Sequence, residues 1–232
     1  MRIGILQTGR APDELIARHG DYNEMFMTLL AGRGMTFTTY RVLDDEFPDS
    51  ASSADGWLIT GSRCGVYDGF PWIARLEDWL RQAIAQHAPV IGICFGHQVI
   101  AQALGGTVRK FDGGWQVGLK TYRNPMTGEQ SQLLAWHQDQ VISAPEHAVL
   151  RATALECRFA GLQLGDSVRT WQAHPEFSPD YIMGLFDVRG ETINDDILRV
   201  GRDSLTEGVP DDVSGEMTEF LIAAAARRES AA

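Results

Sequence analysis

Three short runs of consecutive, mostly apolar residues, Ile3–Leu6, Trp57–Thr60 and Val90–Ile93, constrain this chain more than any other feature. Each is too short for a helix, and none alternates with polar residues. A strand of that kind is buried on both faces, as in a parallel sheet covered by helices. Phe37 to Val42, rich in aromatic and β-branched residues, predicts a further strand. Helical signals lie between the runs. Asp21 with Glu24 three residues later resembles a capping box, Phe26, Leu29 and Leu30 follow at helical spacing, and Gly32 and Gly34 end the element. Pro71 suits a first helical turn, with Trp72, Ile73, Leu76, Trp79, Leu80, Ala83 and Ile84 tracing one stripe. Val99 to Leu104 reads as helix, stopped by Gly105-Gly106.

This β-α-β alternation predicts an α/β fold with a mostly parallel sheet. From Thr107 to Thr170 the pattern changes. Leu119–Tyr122, Val141–Ser143, Val149–Ala152 and Arg158–Gln163 read as antiparallel hairpins added to that sheet. Helical character returns in Tyr181–Val188, Asp195–Arg202 and Val213–Arg228. With 232 residues and no repeat or linker, one domain is expected: a core over 1–190 and a C-terminal helical extension over 191–232.

Composition narrows the function classes. Hydrophobic residues make up 44% and charged residues 22%, which suits a soluble globular chain. The net charge of −11 disfavours nucleic acid and anionic membrane surfaces as partners. Cys64, Cys94 and Cys157 are too few and too scattered for a disulfide framework, and their odd number suits a reducing cytoplasm. No CxxC pair or HExxH motif suggests a structural zinc.

The chemistry concentrates in Gly92-Ile93-Cys94-Phe95-Gly96, where an apolar strand runs into a helix with cysteine at the junction. This G-x-C-x-G pattern fits a nucleophile elbow, in which glycines clear a sharp turn and the thiol is held at the end of the sheet. A helix N-terminus favours a thiolate and offers N–H groups to an oxyanion. A cysteine nucleophile needs a base, and the base an orienting group. Of six histidines, His19, His87 and His147 lie in polar segments, and His97 sits on the helix after the elbow, where it can face away. His174 follows a strand-like run, Val168 to Ala173, and precedes Pro175, which biases it towards extended backbone. Residues two apart in extended chain point the same way, so Glu176 can hold the imidazole. The chain order, cysteine, histidine, then acid, disfavours an α/β-hydrolase.

With Gly92-Ile93-Cys94-Phe95-Gly96-His97-Gln98 and His174-Pro175-Glu176-Phe177 in place, the sequence resembles the class I (triad) glutamine amidotransferase family, from the first strand to about Phe177. Gly61-Ser62-Arg63 before Val66-Tyr67-Asp68 resembles the standalone branch near GMP-synthase glutaminase domains and plant γ-glutamyl peptidases. The resemblance implies a flavodoxin-like fold with its site at the carboxyl ends of the strands. It implies Cys94 as nucleophile, His174 as general base and acid, Glu176 as orienting acid, and the N–H groups of Gly61 and Phe95 as oxyanion hole. It further implies Gln98 as a substrate-side residue, and Trp136, His137, Gln138 and Asp139 as the segment holding the substrate's α-amino and α-carboxylate groups. A structural turn is the competing reading for His137 and Asp139. Many relatives carry Gly-Gly-Pro where this chain has Thr60-Gly61-Ser62, so the loop shape is expected to differ. Cys64, on that loop, reads as a passive thiol and Cys157 as structural.

The implied reaction is hydrolysis of glutamine or another γ-glutamyl compound through a γ-glutamyl thioester, without metal or organic cofactor. Two further readings stand beside it: a glutaminase subunit that passes ammonia to a separate synthetase, and a catalytically silent binding protein on the same fold. The expected partners are a small-molecule substrate and, in the second reading, a separate synthetase; a homo-oligomer is compatible with all three.

Overall fold

The computed structural model describes residues 1–208 and 210–231. The strands are β1 (Arg2–Gln7), β2 (Thr36–Arg41), β3 (Gly56–Ile59), β4 (Val90–Ile93), β5 (Thr107–Lys110), β6 (Gln116–Arg123), β7 (Gln130–His137), β8 (Asp139–Ser143), β9 (Val149–Ala154), β10 (Cys157–Leu164) and β11 (Val168–Trp171). The helices are α1 (Asp13–His19), α2 (Tyr22–Leu29), α3 (Pro71–Ala85), α4 (Phe95–Ala103), α5 (Pro179–Arg189), α6 (Asp195–Glu207) and α7 (Ser214–Ala231).

Nine strands of the described chain form one sheet in the order β2-β1-β3-β4-β11-β10-β9-β6-β7. The β2-β1-β3-β4-β11 half is parallel throughout. The second half is antiparallel: β11 with β10, β10 with β9, and β6 with both β9 and β7. The apolar runs fill the centre. Every residue of β3 and β4 is buried, as expected for strands covered on both faces.

Two expectations change. The segment ending at Thr170 is not uniformly antiparallel, because β11 lies parallel to β4, with Thr170 opposite Gly92 and Trp171 opposite Ile93. Nor do all the added strands join the main sheet: β5 and β8 pair separately with each other. Three elements had no counterpart in the sequence reading, namely α1, β5 and β7. The predicted Asp21–Glu24 capping box is present, with the Asp21 N–H donating to Glu24 at 2.8 Å. The C-terminal helices pack closely on the core. Gly118 of β6, at φ 84°, meets the Gly201 backbone of α6, and Met217, Leu221 and Ala224 of α7 are buried. Residues 209 and 232 of the expected extension lie outside the described ones. No helix among the described residues is long and apolar enough to cross a membrane.

The topology converges on one end of the sheet. The chain leaves β1 for β2 on one side and then places β3 on the other, so a crevice opens beyond the carboxyl ends of β1 and β3. Thr8 binds the end of β3 there: its N–H donates to the Thr60 hydroxyl at 3.0 Å, and its own hydroxyl lies 2.9 Å and 3.0 Å from the Thr60 and Gly61 carbonyls. On the far side, an isolated bridge joins His174 to Leu134 of β7, the His174 N–H donating to the Leu134 carbonyl at 2.8 Å. That bridge draws the β7–β8 turn to the same end of the sheet.

Candidate active site

Cys94 stands between β4 and α4 at φ 50° and ψ −100°. A side-chain-bearing residue in that region stores about 1–3 kcal/mol of strain, held only because the surroundings over-determine it. Those surroundings are visible. The Cys94 N–H donates to the Trp171 carbonyl at 2.8 Å, and its carbonyl accepts from Gln98 N–H at 3.0 Å. Both flanking glycines are needed for packing. A Cβ on Gly92 would lie 2.6 Å from the Gly96 carbonyl oxygen, and a Cβ on Gly96 would lie 2.5 Å from the Ile59 carbonyl oxygen. The elbow therefore closes by backbone lying directly on backbone, which only glycine permits.

His174 is buried, and its Nδ1 lies 2.7 Å from Glu176 Oε1. The carboxylate fixes which ring nitrogen carries the proton on that side and leaves the other for Cys94. Burial alone would lower the imidazole pKa; the Glu176 carboxylate and the Cys94 sulfur together outweigh it and push it up to about 10. The carboxylate on one side and the sulfur on the other thus both favour the protonated ring. Phe177 stacks face to face on it, with centroids 4.1 Å apart and planes 3° apart, which blocks ring rotation.

Gly61 borders both groups. A Cβ there would lie 2.9 Å from His174 Cε1 and 3.7 Å from Cys94 Cβ. The Phe95 N–H belongs to the first turn of α4, where amides have no intrahelical acceptor. Its side chain turns away into the core beside Trp72, with ring centroids 5.5 Å apart.

The cleft in front of Cys94 and His174 has a volume of about 500 Å³. Gln98, Trp136, His137, Gln138 and Asp139 all line it. Gln98 Nε2 donates to the Asp139 carbonyl at 2.9 Å and to Gln172 Oε1 at 3.1 Å, so Gln98 also braces the β7–β8 turn. Asp139 accepts from the Tyr67 hydroxyl at 2.7 Å, which ties that turn to the loop after β3. Burial, the largest influence, raises the Asp139 pKa against the lowering effect of the Tyr67 bond and Lys110. His137 is neutral: burial first, then the His174 charge, holds it down at about 3. Its Nδ1 turns to the Asp139 carbonyl at 3.2 Å.

His97 is not brought to the site. Its Nδ1 bonds Thr170 Oγ1 at 2.8 Å, and burial lowers its pKa to about 3. Cys64 is half-buried on the cleft wall, and burial, with Cys94 adding to it, pushes the Cys157 thiol up to about 12. The sequence reading missed Thr8, Phe177 as a ring clamp, and the outer wall formed by Tyr22, Trp115 and Arg189. Phe177 alone carried a signal, being an aromatic directly after His-Pro-Glu.

The sheet order, the elbow and the cleft define a class, and sequence comparison agrees. The profile of the family "Glutamine amidotransferase class-I" matches residues 16–182, and the chain belongs to that family. Among its relatives, γ-glutamyl peptidase 4 of Arabidopsis thaliana is 29% identical over 192 residues, covering 76% of each chain. One chain of the glutamine-hydrolysing GMP synthase of Halobacterium salinarum is 27% identical over 172 residues, covering 70% of this chain and 87% of that one. A glutamine amidotransferase structure from Thermotoga maritima superposes with a TM-score of 0.72 over 98% of this chain and 97% of its own, at 16% identity. The fold is thus that of the class I glutamine amidotransferases, and the activity general to its relatives is hydrolysis of glutamine or γ-glutamyl amides.

Proposed function

We propose that this protein hydrolyses the γ-amide bond of a γ-glutamyl compound through a covalent intermediate on Cys94. The observation that carries the reading is the convergence of a strained cysteine, an imidazole and the buried carboxylate bonded to it at the mouth of one cleft. In the proposed course, the Cys94 thiolate attacks the γ-carbonyl carbon. The carbonyl oxygen takes the electron pair and is met by the Gly61 and Phe95 N–H groups. As the tetrahedral species collapses, the His174 imidazolium gives its proton to the departing nitrogen, which leaves as ammonia or an amine. A γ-glutamyl thioester stays on sulfur. The now neutral His174 takes a proton from water, the hydroxyl adds to the thioester, and glutamate leaves as the thiolate–imidazolium pair re-forms.

Gln98 and the Trp136–Asp139 segment are assigned to the glutamyl end. Asp139 offers a carboxylate for the α-ammonium, and Lys110 and Arg63 on the cleft wall offer charge for the α-carboxylate. The cleft volume favours a leaving group larger than ammonia, since about 500 Å³ exceeds what glutamine alone fills. The second reading, a glutaminase that feeds a separate synthetase, has the GMP synthase relative behind it.

Assaying glutamate release by the purified chain from glutamine, γ-glutamyl amides and γ-glutamyl dipeptides separates them. Turnover of peptides by the chain alone supports the hydrolase. Turnover of glutamine that appears only with a synthetase favours the synthetase-coupled glutaminase. Absence of turnover on every compound, with or without a partner, removes both.

A further inference from the structure

A second pocket, of about 270 Å³, lies on the α7 side of the sheet. Strands β6, β7, β9, β10 and β11 and the start of α7 form it, and it shares no lining residue with the catalytic cleft. Its floor is apolar, made by Tyr122, Leu133, Ala160 and Trp171 of the core under α7. Its walls bring together Arg123, Arg151 and Arg169. The whole chain has only 20 Lys and Arg against 31 Asp and Glu, so three arginines around one small cavity are not a by-product of composition.

These arginines are under-used. Arg169 is only 9% exposed; it pairs with Glu216 and reaches Gln163 Oε1 at 3.3 Å, but its Nε is buried without a partner. Arg151 has less: its Nη1 meets the Met126 sulfur at 3.7 Å, and its Nε is likewise buried and unpaired. Neither Arg123 nor Arg151 has a carboxylate partner among the described residues. Two acids line the same pocket: Glu216 is paired with Arg169, and Glu129 accepts from the Thr127 hydroxyl at 2.8 Å. Arg169 is withdrawn from water and Arg151 partly so, while Arg123 stands exposed at the mouth; a guanidinium withdrawn from water is normally paired, because an unmade charge-assisted bond is expensive. Burial, opposed by Glu216 and reinforced by the neighbouring Arg151, lowers the Arg169 pKa, so the two cations repel each other across the pocket.

We propose that this pocket binds a small phosphate monoester, its phosphoryl oxygens bridging Arg151 and Arg123 beside the Arg169–Glu216 pair, and its organic body lying on the apolar floor beside Trp171, whose ring centroid lies 5.3 Å from the Arg169 guanidinium. Three arginines against Glu129 and Glu216 leave the pocket net positive, and the two arginines without a carboxylate partner can each meet a phosphoryl oxygen. The forked guanidinium suits phosphoryl oxygens, and the volume limits the body to something near one ring. The site is independent of the triad chemistry.

Calorimetric titration of the full chain with phenyl phosphate, inorganic phosphate and benzoate tests this. Phenyl phosphate should bind saturably at one site with a Kd of about 1 mM or tighter. Inorganic phosphate should bind more weakly for want of the floor, and benzoate more weakly for want of the second charge. Arg151→Gln should weaken phenyl phosphate about tenfold or more, and Arg151→Lys by less, since it keeps charge but not the fork. Arg123→Gln should also weaken it, while Cys94→Ala should bind as the parent does. No saturable binding of phenyl phosphate, unchanged affinity in both Arg151 variants, or benzoate binding more tightly than phenyl phosphate would overturn the proposal. Arg151→Lys and Arg123→Gln keep the test decisive if Arg151→Gln does not fold.

Discussion

Replacing Gly61 by alanine perturbs the candidate site by one methyl group whose position is known. Gly61 does not take a positive φ, so alanine meets no backbone penalty there and the effect is one of contact. The added carbon would lie 2.9 Å from His174 Cε1. Comfortable carbon–carbon contact begins near ~3.5 Å, so the ring or the Gly61 loop must yield by about 0.6 Å. Neither is free to do so. The loop is bound through Thr60 and the Gly61 carbonyl to Thr8, and the ring is fixed by Glu176 at 2.7 Å and by the Phe177 stack. Misplacing a reacting group by ~1 Å costs about 10²-fold, so this smaller shift should cost about 10- to 100-fold in kcat/KM, mostly in kcat. Overpacking of this size destabilises by about 1–3 kcal/mol, which leaves a folded protein to assay. The assay is p-nitroaniline release from γ-glutamyl p-nitroanilide, with circular dichroism as the check on folding. A folded Gly61→Ala protein whose kcat/KM stays within about twofold of the parent would refute the contact argument.

Other expectations follow from the same geometry. Glu176→Gln removes a charge that raises the His174 pKa, so the alkaline limb of the kcat/KM profile should move to lower pH, with a milder loss of activity than in His174→Ala; an unmoved limb, or the reverse ranking, would count against the orienting role. The linked stability has a definite sign. A histidine whose folded pKa, about 10, exceeds its unfolded value contributes stability that is complete below about pH 6.5 and lost as pH rises towards 10, so the parent's Tm should fall more over that window than that of Glu176→Gln. Gly96→Ala should be a folding defect, with stability from urea unfolding lowered by about 1–3 kcal/mol or more, because the clash is with the Ile59 backbone; full stability would show that the elbow can open.

Much of this site was legible in the sequence because its constraints are local. The elbow announces itself through glycines that backbone contacts demand, and the spacing of His174 and Glu176 follows from extended chain. The parallel half of the sheet was legible for a similar reason, since strands buried on both faces read as uninterrupted apolar runs. The antiparallel half was not. β7 begins with Gln130-Ser131-Gln132, exposed or half-buried at the sheet edge, and only its partners β6 and His174 define it. β11 carries Arg169 and Thr170 in its centre, polar residues buried through contacts with Glu216 and His97 that no local pattern encodes. Thr8 and Thr60 lie 52 positions apart and meet only because β1 and β3 are neighbours.

The proposed reaction stands or falls on passage of the γ-glutamyl group through the sulfur of Cys94. Acid-quenching the protein during turnover of a γ-glutamyl substrate, followed by peptide mass spectrometry, reads that step. The predicted result is a γ-glutamyl thioester on the peptide containing Cys94, none on those containing Cys64 or Cys157, and no turnover by Cys94→Ala. Turnover that persists in Cys94→Ala, or an acyl group carried only on another residue, would contradict it.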